Sequence, residues 1–326
     1  MLDVRPFDVD RASDADWDEL HDLRLSAHRL DHPELPAPTR QGTISELREP
    51  QVQLGEQLVW TARRDGRLAA RAIANLPVDG NEHLAFVRLT VHPDLRRRGI
   101  GTALLHALQP VLRDRGRTRL EGWNVTLGGP GESWVRGLGF RFVHTTVLQI
   151  LELDDVDRRR WDVAVPEGYR LVRWVGEAPA GLVEVYAKAR GAIGDAPLGE
   201  SGLAAPDWSV DRVRRIEAAY RERGIEYRTV VAIDAHGEVA GLTELDTRPR
   251  RPERLTQGDT VVLAAHRGHG LGLAMKAAML RWFTADKREA EQVWTSTGAA
   301  NTHMADVNHR LGFTTVRRFS VVSREL

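Results

Sequence analysis

The sequence predicts a strand-rich α/β protein made twice from one plan. Three observations carry that reading. Landmarks recur at a nearly constant interval: Gly66 and Gly237, Arg96 and Arg267, and Gly101 and Gly272 each lie 171 residues apart, and Phe140 and Phe313, each ending an "LGF", lie 173 apart. Ordered matches at one spacing mark an internal repeat. The length of 326 residues suits two domains of about 150 residues better than a single core. Finally, both halves run through the same succession of strand and helix patterns, with an arginine-glycine loop at the same place in each.

Taken in order, each half opens on a short strand ("LDVRPF", "YRLVRW") and a helical region. Two alternating apolar runs follow, around the turns "RRDGR" and "DAHGE", where Gly66 and Gly237 supply the positive φ of a tight hairpin. A further strand feeds the loop, "HPDLRRRGIG" or "AHRGHGLG", which opens a helix with apolar residues at helical spacing ("TALLHALQPVL", "LAMKAAMLRWF"). Another strand and a short helix ending at "LGF" complete the unit. Between the copies, Asp154 to Tyr169 carries charges of both signs, Pro166 and Gly168, the punctuation of a connection. The expected division is therefore an N-terminal domain over 1–153, a linker over 154–168 and a C-terminal domain over 169–326.

Composition narrows the chemistry. The 46 basic and 46 acidic residues cancel, so the overall field favours neither nucleic acid nor an anionic membrane as partner. Without any cysteine, disulfides, thiolate nucleophiles and thiolate metal sites are excluded together. The start, "MLDVRPFDVDRASDADWDEL", lacks the basic and then apolar segments of a secretion signal, and no apolar run approaches the length of a membrane span. A soluble, cytoplasmic protein is expected. Only Lys188, Lys276 and Lys287 are lysines among the basic residues, a bias that points to no site.

A glycine-rich turn from strand to helix aims several backbone N–H groups at one point, where the helix dipole adds partial positive charge. Such a turn binds a phosphate or pyrophosphate. Gly99 and Gly101 let the backbone approach the ligand, and Thr102 offers a hydroxyl. A dinucleotide fingerprint would need a third glycine where Leu104 and Met275 stand, and a P-loop would need Gly-Lys-Ser/Thr; both patterns fail.

The two loops, Arg96-Arg97-Arg98-Gly99-Ile100-Gly101 and Arg267-Gly268-His269-Gly270-Leu271-Gly272, resemble the cofactor loop of the GNAT superfamily of N-acetyltransferases, Gln/Arg-x-x-Gly-x-Gly/Ala. The resemblance covers nearly the whole chain as two consecutive domains, the tandem arrangement of many actinobacterial acetyltransferases. It implies, for each domain, a mixed and mostly antiparallel sheet, splayed at the cofactor site and flanked by helices. It also implies acetyl-CoA as cofactor, its pyrophosphate on the loops through Thr102 and Leu273. Its pantetheine arm would lie along Leu89, Thr90 and Val91 in the first half and Val261, Val262, Leu263 and Ala264 in the second. Amides near Val262 to Ala264 would polarise the thioester carbonyl.

The family's catalytic positions are less well kept. Its glutamate, four residues before the last valine of the splayed strand, falls on Val87 and Gly258. Its tyrosine acid falls on Val135 and Asn308, and the first half has no tyrosine at all. The second half keeps Asn301, where the family commonly has an asparagine beside the cofactor arm, whereas the first has Gly128. The C-terminal domain is therefore the expected catalytic one, with the N-terminal domain binding coenzyme A without turnover or serving as a scaffold.

Glu244 and Asp259 are the candidate bases, since a carboxylate of raised pKa or one acting through a water can deprotonate an amine. Asn308 is a candidate to hold a water or the sulfur. Acceptor binding in this family falls to the segment after the first helix. Here that is Gly191 to Trp208, whose Asp195, Glu200 and Asp207 suit a cationic amine; the first half offers Asp31, His32 and Glu34.

The leading expectation is acetyl transfer from acetyl-CoA to the amine of a small molecule by direct attack on the thioester. Transfer to a protein or peptide amine and a non-catalytic coenzyme A sensor remain alternatives. His266 and His269 lie inside the loop and lack the further ligands that zinc needs, so no metal is expected. Arg248, Arg250, Arg251 and Arg254 read as a solvated loop, and the nine tryptophans as packing rather than a nucleic-acid platform. Oligomeric state is not legible.

Overall fold

The computed structural model describes residues 1–49, 54–195, 199–249, 251–287 and 289–326. In chain order the elements are β1 (Leu2–Pro6), α1 (Asp14–Asp31), α2 (Arg40–Arg48), β2 (Glu56–Arg64), β3 (Arg67–Leu76), β4 (Leu84–Val91), α3 (Ile100–Asp114), β5 (Arg119–Thr126), α4 (Pro130–Gly137) and β6 (Arg141–Glu152). The repeat then supplies β7 (Arg170–Val175), α5 (Val183–Gly191), α6 (Val210–Glu222), β8 (Glu226–Ile233), β9 (Val239–Arg248), β10 (Arg251–Val262), α7 (Leu271–Asp286), β11 (Gln292–Gly298), α8 (Thr302–Leu311) and β12 (Thr314–Glu325). No helix among the described residues is long and apolar enough to cross a membrane.

Two compact units result. One takes Met1–His144, Gly199–Leu203 and Phe319–Leu326; the other takes Thr145–Leu198 and Ala204–Arg318. Within the first unit the strand order is β1-β2-β3-β4-β5-β12, and within the second β6-β11-β10-β9-β8-β7. Each is mixed and mostly antiparallel, with one parallel pair, β4–β5 or β10–β11.

The units are not linear segments, because in each the last strand of the order comes from the opposite half of the sequence. In the first unit β12 pairs with β5 from Phe319↔Thr126 to Glu325↔Arg119, and in the second β6 pairs with β11 from Gln292↔Glu152 to Gly298↔Thr146. The stretch 154–168, expected as a plain linker, packs into the second unit. Trp161 is buried there and donates its indole N–H to the Leu311 carbonyl at 3.0 Å, which removes the cost of a buried polar group.

Period-two alternation along β3 divides the first core. Ala70, Ala72 and Ala74 face the apolar stripe of α3 (Ile100, Leu104, Leu108), and their small size lets the helix sit close. Ile73 faces the other way, into the cluster built by Trp17, Leu20 and Leu23 of α1 and Leu47 of α2. The second unit repeats this arrangement, with α7 on one face and α5 on the other.

The parallel pairs are short. β4 and β5 pair only at Leu84–Phe86 with Arg119–Glu121, and β10 and β11 only at Arg254–Thr256 with Gln292–Trp294. Beyond those points the facing edges carry no ladder pairs among the described residues, so Val87–Val91 and Gln257–Val262 border a splayed opening in each sheet.

Candidate active site

Each splayed strand runs into its loop by the same local geometry. The Arg96 Nε–H donates back to the Val91 carbonyl at 3.2 Å, and the Arg267 Nε–H to the Val262 carbonyl at 3.1 Å. The next residue has positive φ, Arg97 at 62° and Gly268 at 84°, and so do the N-cap glycines Gly99 at 76° and Gly270 at 79°. Glycine removes the Cβ penalty at the cap.

Neither α3 nor α7 has a side-chain cap or an acidic residue in its first turn, whereas Ser13, Thr39, Ser209 and Asn301 cap α1, α2, α6 and α8. The first N–H groups of α3 and α7 therefore have no carboxylate or hydroxyl acceptor from their own caps. A helix N-terminus of this kind is able to take an anion on its backbone N–H groups. A Cβ on Gly101 would stand 3.3 Å from Val91, so this residue also sets the closeness of strand and helix.

Several side chains expected at the cofactor are otherwise engaged. Arg96 forms a two-pronged pair with Asp31 at 2.8 and 2.6 Å, so it braces the loop against α1. The Thr102 hydroxyl accepts from the Trp134 indole N–H at 3.1 Å. Of the amides expected to polarise a carbonyl, that of Leu263 donates to the Ala240 carbonyl at 2.9 Å. The Asn301 side-chain oxygen accepts from the Met304 amide at 3.1 Å to cap α8. The Tyr169 hydroxyl meets His266 Nδ1 at 3.0 Å, and the His269 ring N–H faces the Arg267 carbonyl at 3.0 Å; both histidines are loop braces.

The two splayed strands differ at one point. β4 pairs with β3 without interruption, whereas β10 carries an extra residue between Gln257↔Leu245 and Thr260↔Thr243. This β-bulge falls on Gly258 and Asp259, and bulges re-aim side chains. Asp259 Oδ2 lies 3.3 Å from Arg190 Nη2, and Glu244 Oε1 lies 2.6 Å from Arg190 Nη1. Glu244 also accepts from the Tyr186 hydroxyl at 2.5 Å, Arg190 donates to the Tyr227 hydroxyl at 2.8 Å, and Trp208 stacks 3.7 Å from the guanidinium. Gln257 donates to the Glu244 carbonyl at 2.5 Å and so ties the bulge to β9.

The two carboxylates differ in access. The Glu244 side chain is 2% exposed and that of Asp259 41%. Burial raises both above the usual carboxylate range, with Arg190 opposing in each case. Burial likewise raises Tyr186, and burial with the Asp246 charge pushes Tyr220 up to about 12. Both tyrosines are protonated near neutral pH. Glu244 is thus an interior anchor for Arg190, while Asp259 is the more exposed of the two carboxylates.

Asn308 is fully buried, donating to Gln149 at 2.8 Å and Thr297 at 3.3 Å. Its amide belongs to the interior rather than to an open surface. Of the acceptor-loop acids, Glu200 lies in the segment that packs into the first unit and pairs with Arg141 at 3.5 Å. Asp207 is exposed beside Trp208, and the side chain of Asp195 falls outside the described residues. None of these three joins the Arg190 cluster in the described contacts. The arginines read as a solvated loop stand largely on strands: Arg248 ends β9, and Arg251 and Arg254 lie in β10, Arg254 stacked 3.7 Å over Trp294. Arg250 lies outside the described residues.

One repeat earlier, 171 residues back, Ile73 and Arg88 occupy the places of Glu244 and Asp259, and they pair directly across β3 and β4. The first unit therefore has no carboxylate at either position.

The sequence reading missed Tyr186, Arg190, Tyr227 and Trp208. A signal existed: all four tyrosines of the chain lie in the second half, and Tyr186 and Arg190, four apart on α5, share one helix face.

The sequence model of the Acetyltransferase (GNAT) family matches residues 17–130 and 199–313. The mycothiol acetyltransferase of Salinispora arenicola (strain CNS-205) is 29% identical over 94% of this chain and 93% of its own length. That of Saccharomonospora viridis is 29% identical over 70% of each. Among solved structures, a tandem GNAT protein from the clavulanic acid biosynthesis pathway superposes with a TM-score of 0.79 and 27% identity, covering 100% of this chain and 98% of the other. A GCN5-related N-acetyltransferase from Sphaerobacter thermophilus, at 16% identity, superposes with a TM-score of 0.76 over 99% of this chain and 95% of its own, and speaks to the fold alone.

Proposed function

The chain belongs to the acetyltransferase (GNAT) family and is an N-acetyltransferase; from that premise we propose that its second unit moves acetyl from acetyl-CoA to the amine of a small molecule. The observation that carries this reading is the bulge that sets Asp259 at the splayed edge, paired with Arg190 and partly open to solvent.

The uncapped N-termini of α3 and α7 fit a pyrophosphate, and the free edges of β4 and β10 fit an extended arm. Bound acetyl-CoA would supply the thioester that an amine attacks, with the coenzyme A thiolate leaving and taking up the proton that the acylated nitrogen sheds. Asp259 takes the proton of the incoming ammonium, directly or through a water, and so exposes the nitrogen lone pair. Arg190 holds Asp259 in place and is itself fixed by Glu244, Tyr227 and the Trp208 ring. The amide of Val262 or Ala264 is the donor nearest in sequence for the carbonyl oxygen, since that of Leu263 is spent on the sheet.

The first unit keeps the loop but has Ile73 and Arg88 where the carboxylates stand, which supports cofactor binding without transfer. A small cationic acceptor suits the acidic bulge better than a protein surface does, and the cytoplasm is its proposed location.

Calorimetric titration with acetyl-CoA tests the binding half of this reading, using wild type and the folded variants Gly101→Trp and Gly272→Trp. Two sites in the wild type, one lost in each variant, are expected; no binding at all would refute it.

A further inference from the structure

Apart from its loop, the first unit holds a cluster of charge opposite to that of the second. Glu46 of α2 is the hub. Arg71 of β3 reaches its Oε2 at 2.8 Å, Arg88 of β4 reaches its Oε1 at 3.1 Å, and Arg24 of α1 stands 3.6 Å away. Arg24 also donates to the Thr43 hydroxyl at 3.3 Å. The arginines hold the Glu46 carboxyl well below its ordinary value, at about 2, so it stays ionised. Three guanidinium groups gather on one carboxylate in a partly desolvated place.

A second observation points the same way. The Arg71 side chain is 6% exposed, and its Nε and Nη1 donors have no acceptor among the described residues. Buried donors are nearly always satisfied, and an unmet one asks for a partner. Guanidinium groups pair best with planar or tetrahedral oxyanions, which take two donors at once. Arg88, 41% exposed, is the member a ligand meets first, and its place in the splayed strand is that of Asp259 one repeat later.

We infer that the arginine cluster set on α1, α2, β3 and β4 of the first unit binds a small molecule through an oxyanion, a carboxylate or a phosphate, held by Arg71 and Arg88. The two units then select ligand groups of opposite charge, the first an anion and the second a cation. This holds whether or not the second unit performs the transfer proposed above.

Titration of the full chain with sodium succinate and, separately, inorganic phosphate tests it, at an ionic strength held constant with chloride. At least one of the two is expected to bind saturably and raise the melting temperature. Arg88→Glu, at an exposed position, should weaken that binding at least tenfold, while Gly101→Trp and Gly272→Trp, which alter the two cofactor loops, should each leave it unchanged. Succinate alone would assign a carboxylate and phosphate alone a phosphoryl group. No binding beyond the chloride control, or binding that survives Arg88→Glu, would overturn the inference. Binding lost in Gly101→Trp or Gly272→Trp would overturn it too, since the anion would then sit on a cofactor loop.

Discussion

Arg190 determines how the carboxylates of the second unit behave. It is 6% exposed and reaches both Glu244 and Asp259, so the first is locked inside and the second is aimed outward. Because burial raises Asp259 above the ordinary 3.8, its basic form appears only as pH rises past that higher value. Over the same rise the fold loses the stabilisation linked to the protonated group. The kcat/KM profile of the wild type should show an acid limb above pH 3.8, and Asp259→Asn should lose the limb and most of the rate; an unaltered profile would remove Asp259 from the mechanism. Glu46 has the opposite sign. Lowered from 4.5 to about 2, it contributes stability above pH 4.5 that disappears as pH falls toward 2. Glu46→Gln leaves Arg71 buried without its partner, at a cost of about 3–5 kcal/mol near neutral pH. Urea midpoints followed from pH 6 to pH 2 should fall in the wild type and be flatter in the variant.

Strands and loops were legible in the sequence where a local rule governs them. The hairpin glycine Gly66, with φ 82°, and the N-cap glycines, whose positive φ excludes most side chains, reported the turns directly. The bulge was not legible, since an extra residue in β10 shows only against the register of β9, a tertiary property. It explains why counting back from the last valine gave Gly258: the neighbouring carboxylate, Asp259, is the one turned to the opening. Deleting Gly258 should restore the plain register seen between β4 and β3 and carry Asp259 away from Arg190. A folded deletion variant is expected to bind acetyl-CoA as the wild type does and to lose turnover by at least a hundredfold; full turnover would show that the bulge does not serve the chemistry.

At the scale of the whole chain, the repeat was visible at a spacing of 171 residues, but the exchange of last strands was not. Both β6 and β12 satisfy the pattern of either sheet, so sequence alone does not choose between a strand's own half and the other. Removing 319–326 should therefore expose β5 of the first unit, not β11 of the second. Hydrogen exchange should quicken across Arg119–Thr126 and stay slow across Gln292–Gly298; the reverse pattern would contradict the exchange. On the proposed reading, transfer belongs to the second unit alone. Release of coenzyme A from acetyl-CoA, measured with a panel of small amines on folded Gly101→Trp and Gly272→Trp, tests it most directly. Turnover is expected to be kept by Gly101→Trp and abolished by Gly272→Trp; turnover that survives Gly272→Trp and vanishes in Gly101→Trp would refute that reading.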